Sequence, residues 1–183
     1  MTTFDPDLLD ALEACEIDRV AGTVWRQVLD PSSVLTSNLR GSRWNPPNVE
    51  ALYVSLESET AAAEIQHLID AQSVPIRRQR ATYSLDIQVG RVADLRADPI
   101  GERFVFDLDT SDAAACATVG AAASWLGLGG LLVPSLRSSG SNMVIFVANM
   151  DPDDNWLQQD ARHAFPPGPN DTAIAAAPPL RRC

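Results

Sequence analysis

The 183-residue sequence contains no lysine, and all fourteen of its basic residues are arginine. That absence removes every reaction that needs a side-chain amine, Schiff bases included. Cysteine is scarce: Cys15, Cys116 and Cys183 are odd in number and far apart, with no Cys-x-x-Cys pair. This pattern argues against a disulfide framework and against structural zinc, and it suits a reducing compartment. Two histidines, His67 and His163, are too few for a three-histidine metal site, so no metal is expected. No apolar run reaches the roughly 18 to 20 residues of a spanning helix, and the opening MTTFDPDLLDALEACEID is acidic where a secretory leader is basic. A cytoplasmic protein without membrane contact is expected.

Positive charge is also in short supply, 14 basic residues standing against 24 acidic ones for a net charge of −10. A field of this sign repels phosphate backbones, so direct nucleic-acid binding is not expected. One stretch reverses it. Between residues 24 and 47, Arg26, Arg40 and Arg43 face the single carboxylate Asp30, a local excess that suits an anionic small molecule better than a polymer. The rest of the composition is ordinary. Apolar residues at 45% and charged residues at 21% permit one sizeable core, and the length is short for two.

The periodicity predicts interleaved helices and strands, a mixed α+β domain with a small β core flanked by helices. Leu8, Leu9 and Leu12 sit at helical spacing within residues 5 to 16. VAGTVWRQV, from Val20 to Val28, is rich in β-branched residues and ends at an Asp-Pro-Ser-Ser turn, which reads as a strand carrying Arg26 near its end. A long polar excursion follows from Ser32 to Asn48, and long loops in compact domains are often functional. ALYVS, from Ala51 to Ser55, reads as a short buried strand.

Ser58 is placed as a helix N-cap before TAAAEIQHLIDA, in which Ala61, Ala62, Ile65, Leu68 and Ile69 form one stripe and Glu64 borders it. ATYSLDIQV, from Ala81 to Val89, alternates as a strand with one face buried and one wet. Residues 112 to 126 read as an alanine-rich helix capped by Asp112 and stopped by Gly127, Gly129 and Gly130. Strands are expected at 131 to 133 and 142 to 150. The domain is expected to span residues 1–164, followed by a loose Pro/Ala-rich tail over 165–183.

Candidate chemistry falls in four places: Arg26, the cluster Gly41-Ser42-Arg43-Trp44-Asn45, Tyr53 with Glu64, and Pro134-Ser135 leading to Asn142. Each alone has an ordinary explanation. An arginine at a strand end makes a surface ion pair, a glutamate on an apolar helix is a solvated edge, a tyrosine in ALYVS is core, and a serine after proline is a turn residue. Ser135 is not read as a nucleophile, because no histidine is placed to serve it as base. His67, one turn after Glu64, reads as part of a solvated helix face.

Their order and spacing resemble the RES-domain family, named for its Arg, Glu and Ser, whose members are toxins of bacterial toxin–antitoxin pairs. The matching text is VWRQV, GSRWN, ALYVSLESETAAAEIQHL, VPS and SNMVIF, covering roughly Val20 to Met150. One departure is Pro46-Pro47-Asn48 where the family tends to have glycine soon after the Trp-Asn, although asparagine also takes a left-handed conformation. The resemblance implies a fold similar to the ADP-ribosyltransferases and consumption of NAD+ by hydrolysis or phosphorolysis. NAD+ is then substrate rather than cofactor, with inorganic phosphate as a co-substrate of the second route.

Carried over residue by residue, the resemblance has Arg26 and Arg43 grip the pyrophosphate through planar guanidinium groups. Tyr53 stacks on the nicotinamide or its ribose and Trp44 walls the pocket. Ser135 and Asn142 hydrogen-bond a phosphate or ribose hydroxyl. Glu64 stabilises the oxocarbenium-like transition state, or orients a ribose hydroxyl or the attacking water. The implied partner is an Xre-like helix-turn-helix antitoxin, with a homodimer inside a larger toxin–antitoxin complex. Two other classes share these residues: a transferase moving ADP-ribose onto a macromolecule, and a binding module that has lost turnover.

Overall fold

The structure is a computed structural model that describes residues 4–29, 32–70, 80–96, 112–153 and 156–163. Its strands are β1 (Glu16–Leu29), β2 (Ala51–Ser55), β3 (Arg80–Asp94), β4 (Gly130–Pro134), β5 (Ser141–Phe146) and β6 (Trp156–His163). Its helices are α1 (Pro6–Ala14), α2 (Ser58–Asp70) and α3 (Ala113–Trp125). The mixed α+β architecture is the one the periodicity predicts.

β1 and β3 form a long antiparallel ribbon, in register from Glu16 opposite Ala93 to Leu29 opposite Arg80. The other edge of β3 is shared. Residues 82 to 88 pair antiparallel with β6, and residues 92 to 94 pair parallel with β4. β4 continues to β5 and β5 to β2, all antiparallel. β2 then meets β1 at Trp25 opposite Ser55. The five strands β1, β2, β5, β4 and β3 therefore return on themselves, with β6 added outside the ring.

The two-residue period of a strand explains why Gly130–Val133 of β4 and Met143–Phe146 of β5 are buried without alternation: each run faces a core on both sides. Leu132, Met143 and Ile145 enter one core with Leu52, Val54 of β2 and Val20, Val24, Leu85, Ile87 and Val89 of the long ribbon. Leu131, Val133, Val144 and Phe146 enter the other, which α1 and α3 close with Leu8, Leu12, Cys116, Val119 and Ala123. Both of those helices carry side-chain caps. Asp5 Oδ1 accepts from the Asp7 amide at 2.9 Å with Pro6 in the first turn, and Asp112 Oδ1 accepts from Ala114 at 2.8 Å. α3 ends where Gly127 takes a φ of 75°, a left-handed conformation that glycine adopts at no steric cost.

Several expectations change. The expected strand at 142 to 150 stops at Phe146 and passes into a 3-10 turn over Val147–Asn149. β1 and β3 both extend beyond the patterned segments, because each supplies the other's hydrogen bonds along the ribbon. The polar face of β3 is not wet at its start: Thr82 and Ser84 are 1% and 2% exposed. Thr82 lies opposite the buried Gln27 of β1, so that face is covered rather than solvated. β6, WLQQDARH, carries no apolar alternation and was not expected as a strand; it borrows its ladder from β3, with a register shift at Ser84/Leu85. The side chains of Leu68, Ile69 and His163, and the expected tail over 165–183, lie outside the described residues.

Candidate functional site

The excursion between β1 and β2 is polar in sequence and pinned by its asparagines in space. Asn38 and Ala51 exchange backbone hydrogen bonds at 2.7 and 3.1 Å, and Ser42 N–H donates to the Asn45 carbonyl at 2.8 Å. Asn45 is fully buried and its amide donates to the carbonyls of Val49 at 2.8 Å and Asn38 at 3.1 Å. Gly41 has a φ of 93° with the Pro47 ring against it, and Asn48 takes a φ of 73°. Asn48 thus supplies a left-handed residue directly after Pro46-Pro47.

Tyr53 of β2 locks this loop to the sheet. Its hydroxyl donates to Asn45 Oδ1 at 2.7 Å and accepts from the Trp44 amide at 3.0 Å. Burial pushes its ionisation up to about 12, with the hydrogen bonds from Trp44 and Ser42 and the charge of Arg43 pulling the other way. Trp44 is buried in the α1/α3 core while also reaching the cavity described below. Its carbonyl sits against Gly120 of α3, where a Cβ would collide with it. The loop therefore rests on a helix as well as on a strand.

A cavity of about 540 Å³ opens between this loop, the ends of β1 and β2, the inner face of α2 and the β4–β5 connection. Its volume lies within the roughly 300 to 1,000 Å³ of small-molecule sites. Arg26, Arg43, Trp44, Tyr53, Glu64 and Asn142 all line it, so six of the seven side chains singled out from the sequence border one space. Ser135, the seventh, reaches it through Glu64.

Glu64 lies at the wall on α2. Its Oε1 accepts the Ser135 hydroxyl at 2.7 Å and the Asn142 amide at 2.8 Å. Asn142 is itself oriented, because its Oδ1 accepts the Ser55 hydroxyl at 2.7 Å. Both bonds meet on one oxygen. Among the described residues, Oε2 has no hydrogen-bond donor. Ser135 thus directs its hydroxyl hydrogen, and Asn142 one of its two amide hydrogens, at the carboxylate.

Arg26 is half-buried and its guanidinium donates to the carbonyls of Val34 and, at 2.8 Å, Thr36. Two of its five N–H groups thereby tether the start of the loop, and three remain for a ligand. Burial lowers its ionisation to about 10, which still leaves it charged at neutral pH. Arg43 and Arg137 bring two further guanidinium groups to the lining, while Glu64 is its one carboxylate among the described residues. A chain of net charge −10 thus presents a locally positive cavity, as the arginine excess in residues 24 to 47 predicts.

Sequence reasoning missed Arg137, Ser55 and Gln27. Arg137 stands two positions after Ser135 in the β4–β5 connection, with no pattern around it, and Ser55 and Gln27 join the site only through strand pairing. His67 is exposed, as a solvated helix face requires, and also borders the cavity. Among the described residues no three His, Cys, Asp or Glu side chains are placed to hold a metal ion. No helix among them is long and apolar enough to cross a membrane.

The RES domain family profile matches residues 16–165 of the chain. Among solved structures, the crystal structure of the M. tuberculosis MbcT–MbcA toxin–antitoxin complex contains a similar chain. It is 24% identical, with 87% of this chain and 92% of that chain covered and a TM-score of 0.72. No curated protein matches.

Proposed function

The chain belongs to the RES-domain family, and from that membership and the geometry of its cavity we propose that it is the toxin of a toxin–antitoxin pair, binding NAD+ and breaking its nicotinamide–ribose bond. The observation that carries the reading is Glu64, a carboxylate held on one oxygen by Ser135 and Asn142 at the wall of an arginine-lined cavity. NAD+ is a pyrophosphate dianion that carries a cationic leaving group on a ribose, and the cavity offers a complement to each part.

Arg26 and Arg43 take the pyrophosphate, where planar guanidinium groups pair two phosphate oxygens at once and keep their charge. The Tyr53 hydroxyl is already engaged with Asn45 and Trp44, so Tyr53 offers its ring to the nicotinamide or ribose. In the chemical step the bond from the ribose anomeric carbon to the pyridinium nitrogen breaks and its electron pair leaves with neutral nicotinamide. The sugar develops oxocarbenium character, which water or inorganic phosphate quenches by bonding to the same carbon and releasing a proton. Glu64 Oε2 faces that charge as it forms, while Oε1 stays anchored. An anion fixed beforehand in a site of low polarity needs no reorganisation at the transition state, and such a group contributes on the order of 3 kcal/mol.

The M. tuberculosis chain of similar fold is half of a toxin–antitoxin complex. On that likeness the proposal includes an antitoxin partner, expected to be of the helix-turn-helix type. Product analysis tests the reading: purified protein is incubated with NAD+, with and without phosphate. Nicotinamide together with free ADP-ribose or its phosphate ester supports it. Label transferred from NAD+ to a macromolecule, with no free sugar product, contradicts it.

A further inference from the structure

The segment that carries Ser135 to Glu64 is fastened to α2 a second time, one helical turn earlier, by groups that do not border the cavity. Glu57, just before the helix, accepts on Oε2 from the Thr60 hydroxyl at 2.8 Å and from the Ser141 amide at 3.0 Å. Thr60, 2% exposed, has its Oγ1 2.9 Å from Ser138 Oγ. Gly140 lies against this pair so closely that a Cβ there would collide with the Thr60 hydroxyl and the Glu57 carboxylate.

Counting hydrogens fixes the direction of every bond. A hydroxyl owns one hydrogen. That of Thr60 goes to Glu57, so in the contact with Ser138 it is Ser138 that donates. Ser138 Oγ accepts in turn from the Gly140 amide at 3.1 Å. Ser135 Oγ accepts from the amides of Arg137 at 3.0 Å and Ser138 at 3.2 Å, which leaves its single hydrogen for Glu64. Residue 138 thus belongs to both chains of donors: its side chain runs through Thr60 to Glu57, and its backbone N–H runs through Ser135 to Glu64.

We propose that Glu57 and Thr60 are positioning residues: by holding residues 138 to 141 against the start of α2, they set the aim of the Ser135 hydroxyl and so of the Glu64 carboxylate. This rests on the reading of Glu64 as the group facing the breaking bond. Thr60→Val keeps the volume and removes both hydrogen bonds. It is expected to lower kcat for nicotinamide release by about tenfold, the loss of roughly one hydrogen bond to a charged group, with KM for NAD+ held within about twofold. Thr60→Ser restores kcat.

Because the effect passes through Ser135, Thr60→Val added to Ser135→Ala costs less than about twofold more, a non-additivity that a merely structural lesion does not produce. Equal losses from Thr60→Val in both backgrounds, or a rise in KM at constant kcat, overturn the proposal. A parent chain that releases no nicotinamide counts against the NAD+ reading instead. Amide hydrogen exchange then decides on the clamp without turnover: in Glu57→Gln and Thr60→Val the Ser138 and Ser141 amides exchange faster while those of β2 do not, and unchanged exchange at both amides overturns it.

Discussion

Tyr53 and the two strand-and-loop arginines divide the labour of the cavity between holding the loop and meeting a ligand. Tyr53→Phe leaves the Trp44 amide and Asn45 Oδ1 without their partner, and an unsatisfied buried group costs about 1 to 3 kcal/mol, a loss that urea denaturation measures. The pH dependence has a fixed sign. Unfolded, Tyr53 ionises near its ordinary value of 10.0; folded, it holds its proton to about 12. Its contribution to stability is therefore full below pH 10.0 and is lost as pH rises through about 12. Tyrosinate absorbance checks this, since Tyr53→Phe removes the step near pH 12.

Arg43→Ala is expected to raise KM for NAD+ by about tenfold or more, with a smaller change in kcat. Arg43→Lys recovers only part of it, because an ammonium lacks the planar fork. Arg26→Ala weakens binding in the same way and also lowers the melting temperature, since that guanidinium carries the carbonyls of Val34 and Thr36. Steady-state kinetics and thermal denaturation together separate the two arginines.

At the level of elements, the site depends on where α3 and the loop before β2 touch. Gly120 sits in the middle of α3 against the Trp44 carbonyl. Gly120→Ala raises helix propensity yet is expected to destabilise the fold by about 1 to 3 kcal/mol through overpacking, which equilibrium unfolding measures. What the sequence makes legible here is local. β2 is Ala51–Ser55 as its apolar run predicts, and α3 begins after Asp112 and ends before Gly127 because cap and stop are written at those positions. The block from Gly41 to Glu64 is legible because a turn glycine, buried asparagine, tyrosine and helix-borne carboxylate all fall within one continuous stretch.

The remainder is set by partners distant in sequence. The polar start of β1, Glu16 to Arg19, becomes strand because β3 lies beside it, and β6 forms on the free edge of β3 without an apolar pattern of its own. Thr60 in the first turn of α2 and Glu57 just before it carry no pattern of their own until the β4–β5 connection is folded over them. Ser55 orients Asn142 from 87 positions away. Hydrogen bonds between residues so far apart leave no periodic trace.

Taken whole, the molecule is acidic with a positive cavity, and the two signs have separate consequences. On the proposed function the cavity is expected to attract a small dianion, and the net charge of −10 to repel a polyanion. Raising ionic strength should therefore weaken NAD+ binding only modestly, because the groups involved are partly buried. The central claim is that the Glu64 carboxylate stabilises the departing nicotinamide's sugar. Its most direct test is nicotinamide release by the parent chain and by Glu64→Gln, each with NAD+ affinity measured in parallel by calorimetry. A fall in rate of about a hundredfold or more at nearly unchanged affinity is the predicted result. Equal rates from the two proteins would contradict it.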